Sequence, residues 1–130
     1  MKLKPLVKEW VEKAEGDYAT AQRELRVKKS PNYDAVCFHA QQCAEKYLKA
    51  LLQDAGIRSG KTHNLPALLN LLVAQKPLLE SIRSRIILLN EYAVEFRYPG
   101  ESADKPLARE AMENSRELRI ILRAALGLTP

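Results

Sequence analysis

The sequence predicts an all-α fold, an antiparallel four-helix bundle with one short additional helix. Three observations predict it. Apolar residues recur at i, i+3 and i+4 through most of the chain. No stretch alternates strictly, as a half-buried strand would. Six of the seven prolines (5, 31, 66, 77, 99, 106) and three of the five glycines (56, 60, 100) gather at a few breakpoints between the periodic runs. Proline suits the first turn of a helix and glycine the position just past its end, so these residues bracket the elements.

The first helix is expected over residues 5–27, with Leu6, Val7, Trp10, Ala14, Tyr18, Ala21 and Leu25 on its inner stripe. Gly16 within it costs about 1 kcal/mol relative to alanine. The second is expected over 31–55, with Ser30 as N-cap and Gly56 as its stop. Its stripe is Val36, Ala40, Cys43, Ala44, Tyr47, Leu48, Leu51, Leu52 and Ala55. A short third helix follows Asn64 over 65–74. The fourth spans 78–96, with Leu79, Ile82, Ile86, Leu89, Ala93 and Phe96 inward. The fifth spans 105–126 behind the cap Asp104, with Leu107, Ala111, Ser115, Leu118, Leu122 and Ala125 inward. The four long helices, about 19–25 residues each, would reach roughly 28–38 Å. Without internal repeat or linker, residues 1–130 read as one domain with its core at about 6–126.

Composition narrows the function classes. Hydrophobic residues make up 46% of the 130, too many for a disordered chain, and two cysteines are too few for a disulfide scaffold. A chain of this size exposes roughly 7,000 Å² of the roughly 21,000 Å² it presents unfolded, so it buries a real core. The longest apolar runs, such as 71–74 and 86–89, are four residues, whereas a membrane span needs about 20. The start, MKLKPLVKEW, lacks the apolar stretch of an export signal, which places the protein in the cytoplasm by default. Cys37 and Cys43 are separated on one helix by about 9 Å of rise, beyond disulfide reach, and read as reduced packing thiols. The 21 Lys+Arg exceed the 16 Asp+Glu by five, which permits a nucleic acid or an acidic partner.

Few segments could carry chemistry. The loop 56–64, GIRSGKTHN, contains G-K-T, but three residues rather than four separate Gly56 from Gly60. A helix rather than a strand precedes it, so it is not a phosphate-cradling P-loop. Cys37, His39 and Cys43 do not share one helix face, and His63 is distant. The sequence therefore calls for no metal and no other cofactor. His39, Gln42, Glu45, Lys46 and Lys49 flank the apolar stripe of the second helix, either as a polar network at the bundle edge or as the lining of a groove. Glu45 and Lys49 are spaced to pair at i, i+4. Arg97, just before Tyr98-Pro99, stands where the fourth helix should end. It could cap that end or grip a phosphate with its forked guanidinium. On the fifth helix Arg109, Arg116 and Arg123 repeat every seven residues among Glu110, Glu113 and Glu117, as an ordinary solvated face does.

Residues 32–52, NYDAVCFHAQQCAEKYLKALL, closely resemble the second helix of prokaryotic HEPN domains, roughly Y-x4-F-x-A-Q-Q-A-A-E-K-x-L-K-A-L-L. Three further marks fall in the same order. They are Trp10 followed by Ala14 and Asp17; Thr62-His63-Asn64-Leu65, similar to the family's T-H-D/N-L; and Glu95-Phe96-Arg97-Tyr98-Pro99, similar to its A-R-Y-P. The resemblance covers about residues 6–126. It implies a compact helical bundle, usually a homodimer, that binds a nucleotide or RNA. A small nucleotidyltransferase is the partner protein it implies, often in a toxin–antitoxin pair. It places Arg97 and Tyr98 near the ligand cleft, with His39, Glu45, Lys46 and His63 as further binding candidates.

Many members are metal-independent ribonucleases with an R-x4–6-H motif, whose arginine stabilises the phosphate while the histidine moves protons. Here Arg97 matches the arginine, but Ser102, Ala103 and Asp104 stand where the histidine should follow. Arg58 and His63 do form R-x4-H, on the loop before the third helix, the wrong element for that site. No catalytic residue is assigned on this basis. The expected function is a binding module. The alternatives are a ribonuclease using Arg97 with His63 or His39 as an unconventional base, and a purely structural partner subunit.

Overall fold

A computed structural model describes residues 2–96 and 99–130, with the side chains of 93–95 also outside the description. Its elements are α1 (Pro5–Leu25), α2 (Tyr33–Asp54), α3 (Leu65–Val73), a 3-10 segment (Pro77–Ile82), α4 (Arg83–Glu95) and α5 (Lys105–Ala125). No strand occurs among the described residues. The fold is all-α, a bundle of four main helices with α3 as the short addition. Its accessible surface is 7601 Å², close to what its size requires.

α2 is the axis. It packs against α1, α3, α4 and α5, and so it is enclosed on almost every side. Val36, Cys37, Ala40, Cys43, Ala44, Tyr47, Leu48, Ala50, Leu51 and Leu52 are all buried. Most of its expected stripe is correct, but the interior extends around the helix to take in Gln41, Glu45 and Lys49. Small residues make this enclosure feasible: Ala14 and Ala21 of α1, Ala40 and Ala44 of α2, and Ala108 and Ala111 of α5 are buried with almost no exposure. Leu65, Leu68, Leu69 and Leu72 seal one end, and Leu79, Ile82, Ile86 and Leu89 continue the same core.

The helix ends follow from capping chemistry. Asn64 Oδ1 accepts from the Ala67 amide at 2.9 Å and Asp104 Oδ1 from the Leu107 amide at 2.9 Å, as expected. α2 starts later than expected. Ser30 is not its cap. Ser30 adopts φ +54°, and Asn32 takes the role, its Oδ1 accepting from Ala35 N at 3.0 Å. Glu24 of α1 accepts from the Asn32 amide at 2.7 Å and fixes this entry. At the far end Gly56, at φ +71°, lets Ile57 N donate back to Leu52 O at 2.9 Å, the left-handed closure that glycine permits.

Three further expectations are corrected. The fourth helix is not α-helical from residue 78. Pro77–Ile82 winds as 3-10, where Ser81 Oγ donates to Leu78 O at 3.0 Å and competes with the regular ladder. A three-residue period then buries Leu79 and Ile82 and leaves Leu78 89% exposed. Leu6 is 56% exposed, because the buried line of α1 runs through its neighbour Val7 and then Val11, Ala14 and Asp17. Arg123 does not share the solvated face of α5. Its Nη1 donates inward to Tyr47 Oη at 2.9 Å, while Arg116 stays on the surface with Glu113. Ala93 and Arg97 fall where nothing is described of the side chain.

Candidate functional site

The polar side of α2 carries two clusters, each gathered around one carboxylate. Positions 39 and 46 are seven apart and share a helix face, and both reach Asp17 of α1. His39 Nδ1 lies 2.7 Å from Asp17 Oδ1, and Lys46 Nζ donates to Asp17 Oδ2. An ionised carboxylate only accepts, so Nδ1 of His39 carries a hydrogen and Nε2 is left for other partners. Asp17 is buried, whereas His39 and Lys46 are partly exposed, with side chains 28% and 23% accessible.

The second cluster centres on Glu45, which is only 3% exposed. Its Oε2 accepts from Lys49 Nζ at 3.3 Å and meets His63 Nδ1 at 3.0 Å. Its Oε1 accepts from Gln41 Nε2 at 3.4 Å, and Gln41 Oε1 in turn accepts from Gln42 Nε2 at 2.8 Å. The imidazole of His63 is 74% exposed, so one edge of the ring is tied to a buried carboxylate while the rest faces solvent. The loop brings it there from the start of α3. Thr62 Oγ1 accepts from the Asn64 amide at 3.2 Å, and Asn90 Oδ1 of α4 accepts from the Leu65 amide at 3.0 Å.

A third network ties the helices together. Glu15 of α1 accepts from Tyr47 Oη at 2.6 Å and from Arg119 Nε and Nη2 at 2.7 and 2.5 Å. Arg123 Nη1 lies 3.6 Å from the same carboxylate, and the Arg119 guanidinium stands 4.9 Å over the Tyr18 ring. Burial pushes the Glu15 carboxyl up, but the Arg119 and Tyr47 hydrogen bonds and the nearby Arg119 and Arg123 charges outweigh it, and the net shift is downward. Burial holds the Tyr47 hydroxyl well above its usual range, helped by the hydrogen bond to Glu15.

Of the sequence-derived site residues, the structure gathers His63 and Glu45 in one cluster and His39 and Lys46 in the other. Arg97 and Tyr98 lie outside the described residues. Asp17 and Gln41 are the site members that residue-by-residue reasoning left out. Asp17 was legible only through its spacing from Trp10 and Ala14, and Gln41 only as part of the Q-Q pair. The cysteines belong to the packing. Burial pushes both thiols up to about 12, the carboxylates of Asp34 and Asp104 adding to the effect at Cys37. Among the described residues no group of three or more His, Cys, Asp or Glu side chains is arranged to hold a metal ion.

Similarity to known proteins agrees with this architecture. The family model described as HEPN domain matches residues 7–124. The chain belongs to the HEPN domain family. Its fold is similar to that of TT1696 from Thermus thermophilus, with a TM-score of 0.78 at 25% identity over 91% of this chain and 96% of that one. It is also similar to ST0689, an archaeal HEPN homologue, with a TM-score of 0.70 at 23% identity over 97% and 99% of the two chains. No curated protein matches the sequence. Among the described residues every regular element of this HEPN domain is a helix, and none of those helices is long and apolar enough to cross a membrane.

Proposed function

We propose that this HEPN domain is a binding module that holds a nucleotide or RNA beside the polar edge of α2, acting as a homodimer. His39, Glu45, Lys46 and His63 line or brace the site, and Arg97 and Tyr98 supply phosphate contacts, Arg97 through its two-pronged guanidinium. A small nucleotidyltransferase is the partner protein that the family resemblance suggests, in a toxin–antitoxin pair.

The Glu45 cluster is the observation that supports this reading. A buried ion pair returns little stability over a well-packed apolar pair. Yet Glu45 and Lys49 are enclosed at the edge of the core and hold an exposed imidazole in place. The excess of five positive charges favours a polyanion.

The test is fluorescence anisotropy of labelled single-stranded RNA, with nucleotides as competitors, on the wild type, Arg97→Ala and His63→Gln. Affinity should fall ten-fold or more in Arg97→Ala at unchanged melting temperature. Unchanged affinity would remove Arg97 from the site. Sedimentation at micromolar concentration should give a dimer, and a monomer would count against a cleft shared by two subunits.

A second reading is favoured by one observation: each histidine has its Nδ1 against a carboxylate, the arrangement that orients a general base. In this reading the domain is a metal-independent ribonuclease, with Arg97 on the phosphate and His63 or His39 moving protons. Cleavage of a mixed RNA in EDTA, lost in Arg97→Ala and in a histidine variant, would establish it. Intact RNA with well-folded protein would leave the binding module. A purely structural subunit, the third alternative, would bind its partner protein and ignore both RNA and nucleotides.

A further inference from the structure

Trp10 lies on the wall of two adjoining cavities. One, of about 270 Å³, is bounded by Leu6, Glu9, Trp10 and Lys13 of α1. The other, of about 360 Å³, is bounded by Trp10, Lys49, Leu52, Gln53 and the loop from Gly56 to Gly60. Both are of the order of size that small-ligand clefts occupy. The lining differs in character between them. The first offers the half-buried indole beside the exposed Leu6 side chain, a flat apolar surface. The second offers Lys49, whose ammonium stands 5.5 Å from the indole centroid, together with Gln53, the exposed Arg58 and Ser59. Gly60, at φ +65°, has nothing within 4 Å of where a side chain would begin, so a ligand can approach the backbone there.

We propose that this double cavity is a nucleoside-phosphate subsite: a base stacks on Trp10 against Leu6, and its phosphate lies between Arg58, Lys49 and the 58–60 backbone. The proposal rests on the nucleotide- and RNA-binding reading and adds to it a place for the base and residues, Trp10 and Arg58, beyond those of the α2 cluster. Three features select this ligand. Stacking on an aromatic face suits any base, because every base presents a π-face. A guanidinium matches two phosphate oxygens at once. Lys49 is partnered by Glu45, so Arg58 brings the charge that a phosphate meets first. The same Glu45 holds His63, which makes this subsite continuous with the α2 cluster. A strand bound there would run from the Trp10 stack toward His63.

Trp10 is the only tryptophan of the chain, so its fluorescence reports the stack directly. The full chain is titrated with adenosine monophosphate, with a single-stranded oligoadenylate of eight nucleotides, and with ribose 5-phosphate as a control that lacks a base. Saturable quenching by a base-containing ligand is expected, with none from ribose 5-phosphate. Arg58→Ala should weaken it ten-fold or more while the melting temperature holds. Quenching by the oligonucleotide alone assigns the subsite to an RNA strand, and quenching by the monophosphate as well assigns it to free nucleotides. Trp10→Phe keeps an aromatic face and a packed core, and should retain more than a third of the anisotropy-measured affinity, whereas Trp10→Ala should lose most of it. A silent tryptophan at millimolar ligand, or a dissociation constant unmoved by Arg58→Ala, overturns the subsite. If labelled RNA still binds by anisotropy in that case, the broader binding reading survives; if it does not, both fail.

Discussion

Glu15 draws α1, α2 and α5 together through one carboxylate, and its protonation has a definite sign. Its pKa in the folded state is lowered from the ordinary 4.5, so it adds stability that is present above that value. This stability is lost as the pH falls through the lower, folded-state pKa. Urea midpoints measured from pH 7 to pH 2.5 should therefore fall more steeply in the wild type than in Glu15→Gln below about pH 4.5, and the two curves should converge at the acid end. Parallel curves would show that Arg119 and Arg123 do not act through this carboxylate. Sequence reasoning reaches such residues unevenly. The Glu45–Lys49 pair was legible because i, i+4 spacing alone brings those side chains together. Its third member, His63, is 18 positions away from Glu45 and is delivered by a loop whose course no periodicity encodes. Asp17 is more instructive. A carboxylate on the buried line of a helix contradicts the apolar pattern, and only the positions of His39 and Lys46 on the facing helix explain it.

Element ends were more legible than element interiors. Asn64 and Asp104 cap where their side-chain chemistry dictates, and Gly56 closes α2. At Ser30 two capping residues compete within three positions, and the choice of Asn32 is settled by Glu24 on another helix. The 3-10 segment is invisible to the pattern because it holds only Leu79 and Ile82 of the apolar stripe, and a single three-residue step fits a 3-10 helix and an α-helix alike. Gly56 allows a clean test of a helix end. A methyl added there meets nothing within 4 Å, so only the left-handed backbone opposes it. Gly56→Ala should cost about 1 kcal/mol, read as a lower urea midpoint with an unchanged slope. A much larger loss would mean that the 56–64 loop contributes more to the core than its exposure suggests.

The hydrophobic core is a single cluster drawing on every helix from Val7 to Leu126. The corresponding expectation is one cooperative thermal transition, with calorimetric and van't Hoff enthalpies equal and near roughly 90 kcal/mol at about 60 °C. Two transitions would show that some helices form a separate unit. At this scale the sequence was most informative. Four motifs in order identified the family, because a bundle of this connectivity depends on the helix-two pattern and on where its loops fall. The site was less legible for a related reason: whether a side chain on a helix faces solvent, a neighbour or a cleft depends on how the other helices close around it.

α2 has almost no face left to water along its second half, since α1, α3, α4 and α5 each take a side. Its amide protons there can meet solvent deuterium only when the whole bundle opens, so residues 44–52 should be the slowest-exchanging stretch and should report the global unfolding free energy directly. The 56–64 loop lies only a few residues further along the chain and should exchange through small local fluctuations. A ligand seated between them would then be read as slowed exchange in the loop, with α2 serving as the internal clock.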